Sequence, residues 1–141
     1  MRNFTPLLFL LITASVFSQS PQKMSYQAVI RDASNTLVSN QSVGMQISIL
    51  QTTTTETAVY TETHTVTANI NGLISLEIGT GSTSDNFSTI DWSAGPYFIK
   101  TETDPTGGNS YTIIGTSQLM SVPFALYAKT SENGITSDQA D

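Results

Sequence analysis

The sequence of 141 residues contains no cysteine. Disulfide staples and thiolate metal sites are excluded, so the fold must hold by hydrophobic burial and hydrogen bonding alone. Charge is scarce as well. Asp, Glu, Lys and Arg make up 11% of the chain against about 25% in an ordinary domain, and Ser, Thr, Asn and Gln fill the surface positions with a neutral polar coat that is unusual for an enzyme. Basic residues number five and acidic ones eleven. Such a balance repels phosphates, which argues against nucleic acid and anionic lipid as partners. No apolar run is long enough for a bilayer span, which needs about twenty residues.

What apolar run there is lies at the start. Arg2 precedes Leu7, Leu8, Phe9, Leu10, Leu11 and Ile12, and the run continues through Ala14 to Phe17, roughly eleven residues in all, the length of a signal-peptide core. Its apolar residues form no one-sided stripe of the kind a core helix shows. Val16 and Ser18 place small or modest side chains at the two positions that a signal peptidase inspects. The pattern predicts a cleavable secretion signal over residues 1–18, cut between Ser18 and Gln19, and a secreted protein, extracellular or at the cell surface, with no membrane association after cleavage. The remaining chain has the length of one domain, expected over 19–131, with a linker or the start of a truncated repeat over 132–141.

Along that domain the dominant pattern is alternation with a period of two, as in half-buried strands. Met24, Tyr26, Ala28 and Ile30 share one face of a first strand, and Arg31 to Asn35 supply turn residues. Val43, Met45, Ile47 and Ile49 alternate with Gly44, Gln46 and Ser48, which predicts one inward and one solvated face. Four threonines, Thr52 to Thr55, read as an exposed hairpin connection or strand extension. From Ala58 to Thr67, Tyr60, Glu62, His64 and Val66 alternate with Val59, Thr61, Thr63 and Thr65, which suits an edge or largely exposed strand. Asn71-Gly72 is a strong hairpin signal, and Leu73 to Ile78 is expected to pair back with Ile74, Leu76 and Ile78 inward.

Phe87, Ile90 and Trp92 are spaced by three and two, which predicts a short helical corner near 85–92. Tyr97 to Thr103 follows as a strand, then the turn Asp104-Pro105-Thr106-Gly107-Gly108, a returning strand Tyr111 to Ile114, and a further extended stretch Thr116 to Ser121. Pro123 suits the first position of a C-terminal helix over 123–131. About seven short strands without βαβ alternation predict an all-β fold, an antiparallel two-sheet sandwich of immunoglobulin-like or Greek-key type. A small barrel is the other arrangement this pattern allows.

Chemistry-bearing residues are few. His64 is the single histidine; alone it binds no metal, and no Gly-x-Ser-x-Gly elbow accompanies it. The carboxylates Glu62, Glu77, Asp91 and Glu102 sit on strand faces beside polar residues, as solvated charges do, rather than as a glycosidase pair. Asp32 with Asn35 and Asp104 with Asn109 are the loops where oxygen ligands for calcium would lie, but both lack dense ligand spacing and read as turn chemistry. Tyr60, Trp92, Tyr97 and Tyr111 would form a sugar-stacking platform if exposed on one face; for Trp92, core packing is the simpler expectation. No catalytic residue, metal site or cofactor is predicted.

Four stretches carry a family likeness. They are Gln22 to Asp32 (Gln-Lys-Met-Ser-Tyr-Gln-Ala-Val-Ile-Arg-Asp), Asn71-Gly72-Leu73, Ile90 to Phe98 (Ile-Asp-Trp-Ser-Ala-Gly-Pro-Tyr-Phe) and Gly115 to Ala128 (Gly-Thr-Ser-Gln-Leu-Met-Ser-Val-Pro-Phe-Ala-Leu-Tyr-Ala). Together they resemble the N-terminal all-β module of secreted Bacteroidetes cell-surface proteins, Flavobacteria among them. The resemblance implies a module that follows a secretion signal, precedes collagen-like, fibre-like or short tandem-repeat regions, and carries no enzymatic activity. Asn133 to Asp141 resembles the opening of such a repeat, which implies continuation into a longer protein. The expected function is a non-catalytic structural module of a surface protein that presents or joins that C-terminal region. A carbohydrate- or protein-binding module of adhesin type, with an extracellular glycan or surface protein as partner, is the alternative.

Overall fold

The computed structural model describes residues 22–120 apart from Glu56. The predicted leader over 1–18, the helix over 123–131 and the linker over 132–141 lie outside the described residues.

Six strands and two short 3-10 helices follow one another in the order β1 Met24–Val29, β2 Ser42–Gln51, β3 Ala58–Thr67, β4 Leu73–Ile78, the 3-10 turns Phe87–Thr89 and Trp92–Ala94, β5 Tyr97–Asp104 and β6 Ile113–Gln118. They form two antiparallel sheets, β1-β4 and β3-β2-β5-β6. The fold is the all-β two-sheet sandwich that the alternation predicts, with six strands instead of seven. The two extended stretches expected on either side of Gly115 are one strand, because Gly115 lies within the ladder opposite Thr101 and does not break it.

The core fills the space between the sheets. Val43, Met45, Ile47 and Ile49 of β2 face Ile74, Leu76 and Ile78 of β4, with Ile30, Val38, Tyr60 and Phe87 around them. Each fully buried side chain of this kind is worth about 1.5–3 kcal/mol, and in a chain without disulfides this layer is the main source of stability. β1 follows its expected phase, with Met24, Tyr26 and Ala28 half-buried and Ser25, Gln27 and Val29 exposed.

Three expectations are corrected. First, β4 pairs with β1, not with β3. The turn is as tight as its sequence suggests, with the Gly72 amide donating to the Asn69 carbonyl at 2.9 Å and the Asn69 side chain accepting from the amides of Asn71 and Leu73. It nevertheless carries the chain across to the other sheet. Second, the second face of β2 is covered. Ser48 is buried against Thr61, 3.1 Å between hydroxyls, and the 104–110 loop lies so close over Gly44 that a Cβ there would meet the Gly108 carbonyl at 1.8 Å. β2 is an inner strand with β3 and β5 at its two edges, so side chains from the neighbouring strands and the 104–110 loop close over its second face. Third, β3 is an edge strand as expected, but its Tyr60-Glu62 face is buried, each residue being 1% exposed.

Candidate functional site

Glu62 is the centre of the best-built polar cluster. β3 projects it toward the interior between Tyr60 and His64, and the chain returning from β4 supplies Gly79 and Gly81 beside it. The Tyr60 hydroxyl donates to Oε2 at 2.6 Å, His64 Nε2–H donates to Oε1 at 2.8 Å, the Gly79 amide reaches both oxygens at 3.0 Å, and the Gly81 amide reaches Oε2 at 2.9 Å. Glycine is needed at 81, since a Cβ there would lie 2.6 Å from His64 Nε2 and 2.8 Å from the Thr63 carbonyl.

The electrostatics follow from that geometry. Burial pushes the Glu62 carboxyl up, but the Tyr60 hydroxyl, His64 and the amides of Gly81 and Gly79 together outweigh it, so its pKa lies below the ordinary 4.5. A carboxylate with several donors is stable as an anion even away from water. Tyr60 is shifted the other way, above its ordinary 10.0, by burial first and then by its bond to Glu62 and the charges of Glu62 and Asp85. Tyr60 therefore remains a hydrogen-bond donor and Glu62 an acceptor throughout the neutral range.

The same segment continues along β3. The Thr63 and Ser82 amides each donate to the other's carbonyl at 2.9 Å, the Thr61 amide donates to the Asp85 carboxylate at 2.8 Å, and the Thr83 hydroxyl donates to the Thr61 carbonyl. Glu62 thus anchors a strap that covers the middle of the sheet edge.

On the far side of His64 opens a cleft of about 670 Å³, lined by Gln46, Thr63, His64, Thr65, Asn109 and Tyr111, with the backbone of Gly107 and Gly108 between them. The loop wall is held by Asp104, which is buried; its Oδ1 accepts from the Thr106 amide at 2.9 Å and the Thr106 hydroxyl at 2.6 Å, and its Oδ2 accepts from the Ser110 amide at 2.9 Å. The Thr106 hydroxyl and amide, helped by the amides of Ser110 and Gly108, hold the Asp104 carboxyl below its usual range despite burial.

The four aromatics named from the sequence divide. Tyr60 and Tyr97 are buried, while Trp92 is 42% exposed and not the core residue expected. Tyr60 meets Phe87 edge-on at 5.1 Å between ring centroids, Phe87 meets Trp92 at 5.6 Å, and Trp92 meets Tyr97 at 5.1 Å, so these three belong to one stack with Phe87 as its link. Tyr111 is apart from them, half-exposed in the cleft. Glu77 pairs with Lys23 at 2.8 Å on the surface, and Asp91 caps the Trp92–Ala94 turn through the Ser93 amide. Glu102 accepts from Gln46 at 2.7 Å and pairs with Lys100 at 3.0 Å. Asp32 accepts from the amides of Ser34 and Thr36, a turn bracing itself. Among the described residues no group of three or more His, Asp or Glu side chains gathers as a metal site.

Glu62 and His64 are the residues that reading the strand as exposed missed. Their signal was phase: both fall in step with Tyr60 and Val66, and a charge in the apolar phase of a strand marks a buried, partnered group. His64 does meet a carboxylate beside a cleft, but no hydroxyl is hydrogen-bonded to its ring among the described residues. No curated protein and no solved structure matches the chain. Residues 25–119, which include all of both sheets but the first residue of β1, match the family described as Domain of unknown function (DUF8740), and the chain belongs to that family.

Proposed function

We propose that this chain is a non-catalytic structural and interaction module of an exported bacterial surface protein, which presents or joins a C-terminal fibre or repeat region. The observation that carries the reading is the use made of Glu62. Its carboxylate, together with Tyr60 and His64, is spent on fixing the Gly79–Asp85 strap across a sheet edge, which is a structural role. The neutral polar coat, the leader-like start and the resemblance to secreted surface modules support export and a place at the cell exterior.

The test is made on the full-length product in the cells that make it. Mass spectrometry of exported material is expected to find Gln19, free or cyclised, as the first residue, and antibodies against the sandwich are expected to label intact cells. A product that retains Arg2, or labelling that appears only after lysis, overturns the reading.

A further inference from the structure

We propose that the cleft between β3 and the 104–112 loop binds a neutral saccharide, a role beyond the structural one above and independent of it. The volume, about 670 Å³, lies in the range of small-molecule sites. The lining decides the chemistry. Gln46, Thr63, Thr65, Asn109 and Tyr111 bring amides, hydroxyls and a phenol ring, with no Lys, Arg, Asp or Glu among the lining residues. An anionic ligand finds no fixed cation there, and a cationic one no carboxylate. A ring with uncharged hydroxyls on its rim and C–H groups on its face matches the set, with the half-exposed Tyr111 as the stacking surface.

Gln46 is held by Glu102 and the Thr63 hydroxyl by the Ser82 carbonyl, but three lining side chains are free to bind. The side chains of Thr65, Asn109 and Tyr111 make no hydrogen bond to the described residues. Both walls are rigid before any ligand arrives. The paired backbone bonds between Thr63 and Ser82 brace the β3 wall, and Asp104 with Gly44 braces the loop. Little ordering is left for binding to oppose.

The purified chain is titrated with maltohexaose, cellohexaose, xylohexaose and mannohexaose, followed by amide chemical shifts. At least one of them is expected to give saturable shifts centred on Thr63, Thr65, Asn109 and Tyr111. Tyr111→Ala should weaken that binding about tenfold or more, Tyr111→Phe should preserve it, and Trp92→Ala, which alters an exposed aromatic outside the cleft, should leave it unchanged. Unchanged spectra outside the cleft show that each variant is folded. The proposal is overturned by the absence of saturable shifts with all four sugars at about 10 mM, a level that registers even a millimolar site. It is equally overturned by shifts centred on Phe87 to Tyr97, by full affinity in Tyr111→Ala, or by preference for an oligogalacturonate.

Discussion

At one edge of the four-stranded sheet the outward amides of Thr61 and Thr63 are taken by the Asp85 carboxylate and the Ser82 carbonyl. At the other edge β6 pairs with β5 on one side and has no strand on its other side among the described residues. Leu119 donates to the Tyr97 carbonyl at 2.9 Å, and since inward and outward groups alternate along an antiparallel strand, Ile114, Thr116 and Gln118 turn their N–H and C=O groups away from β5. Nearly all of β6 is exposed. The contrast shows that edge protection in this molecule is not a property of the edge strand. It is supplied at β3 by a segment that enters from β4 and is tied down by one buried carboxylate.

The largest expected effect comes from cutting that tie. Glu62→Ala leaves the amides of Gly79 and Gly81 and the Tyr60 hydroxyl without their acceptor, and should cost about 3–5 kcal/mol in denaturant unfolding. Glu62→Gln keeps the shape but turns one acceptor into a donor, for about 1–3 kcal/mol. A loss below 1 kcal/mol for Glu62→Ala would mean that the strap holds without its anchor.

Titration probes the same anchor without mutation. The folded pKa of Glu62 lies below its unfolded value of 4.5, so the unfolded state takes up protons first as pH falls. The stability that Glu62 contributes is full above pH 4.5 and is lost as pH drops through the lowered folded value; Asp104 acts in the same sense. Tyr60 has the opposite sign: its folded pKa is raised, so its contribution is full below its ordinary 10.0 and is lost as pH rises beyond it. Unfolding midpoints measured across pH should fall at both ends, and Glu62→Gln should flatten the acid limb. An unaltered acid limb in that variant would assign it to other carboxylates.

Gly81→Ala tests the close approach of strap to strand. The added methyl would lie 2.6 Å from His64 Nε2 and 2.8 Å from the Thr63 carbonyl, which should cost about 1–3 kcal/mol and speed amide exchange at Thr63 and Ser82 ahead of the β2 core. Ile114→Lys on the bare edge should have the smallest effect. Ile114 is 61% exposed, and its replacement should change stability by about 0.5 kcal/mol or less. In the unmodified protein the amides of Ile114, Thr116 and Gln118 should exchange faster than those of Thr61 and Thr63; equal protection would show that the β6 edge is covered in solution.

The parts of this molecule that were legible from sequence share a local cause. Ile74, Leu76 and Ile78 point inward because a strand presents alternate residues to one side, and the Asn69–Gly72 turn is tight because Asn and Gly accept its backbone angles. Neither fact says which strand comes next to which. The same turn serves a hairpin or a crossing between sheets, and here it serves the crossing, so local pattern points β4 to the wrong partner. The role of Glu62 escapes local pattern for a related reason. A strand of Thr, Glu and His looks solvated until amides from positions 79 and 81 are brought to it, seventeen and nineteen residues further on.

By itself, then, the sequence determined the all-β class, the phase of its strands, most of its turns and the absence of any covalent staple, because all of these follow from side-chain alternation, backbone preference and composition. Only the tertiary structure decided that β3 is covered at its edge and β6 is bare, that Tyr60 and Tyr97 join the buried stack while Tyr111 opens onto a cleft, and that the carboxylate of Glu62 is an anchor. Each of these depends on which distant backbone groups arrive beside a side chain. Hydrogen-bond donors that converge from separate loops leave no periodic trace in the chain that carries them.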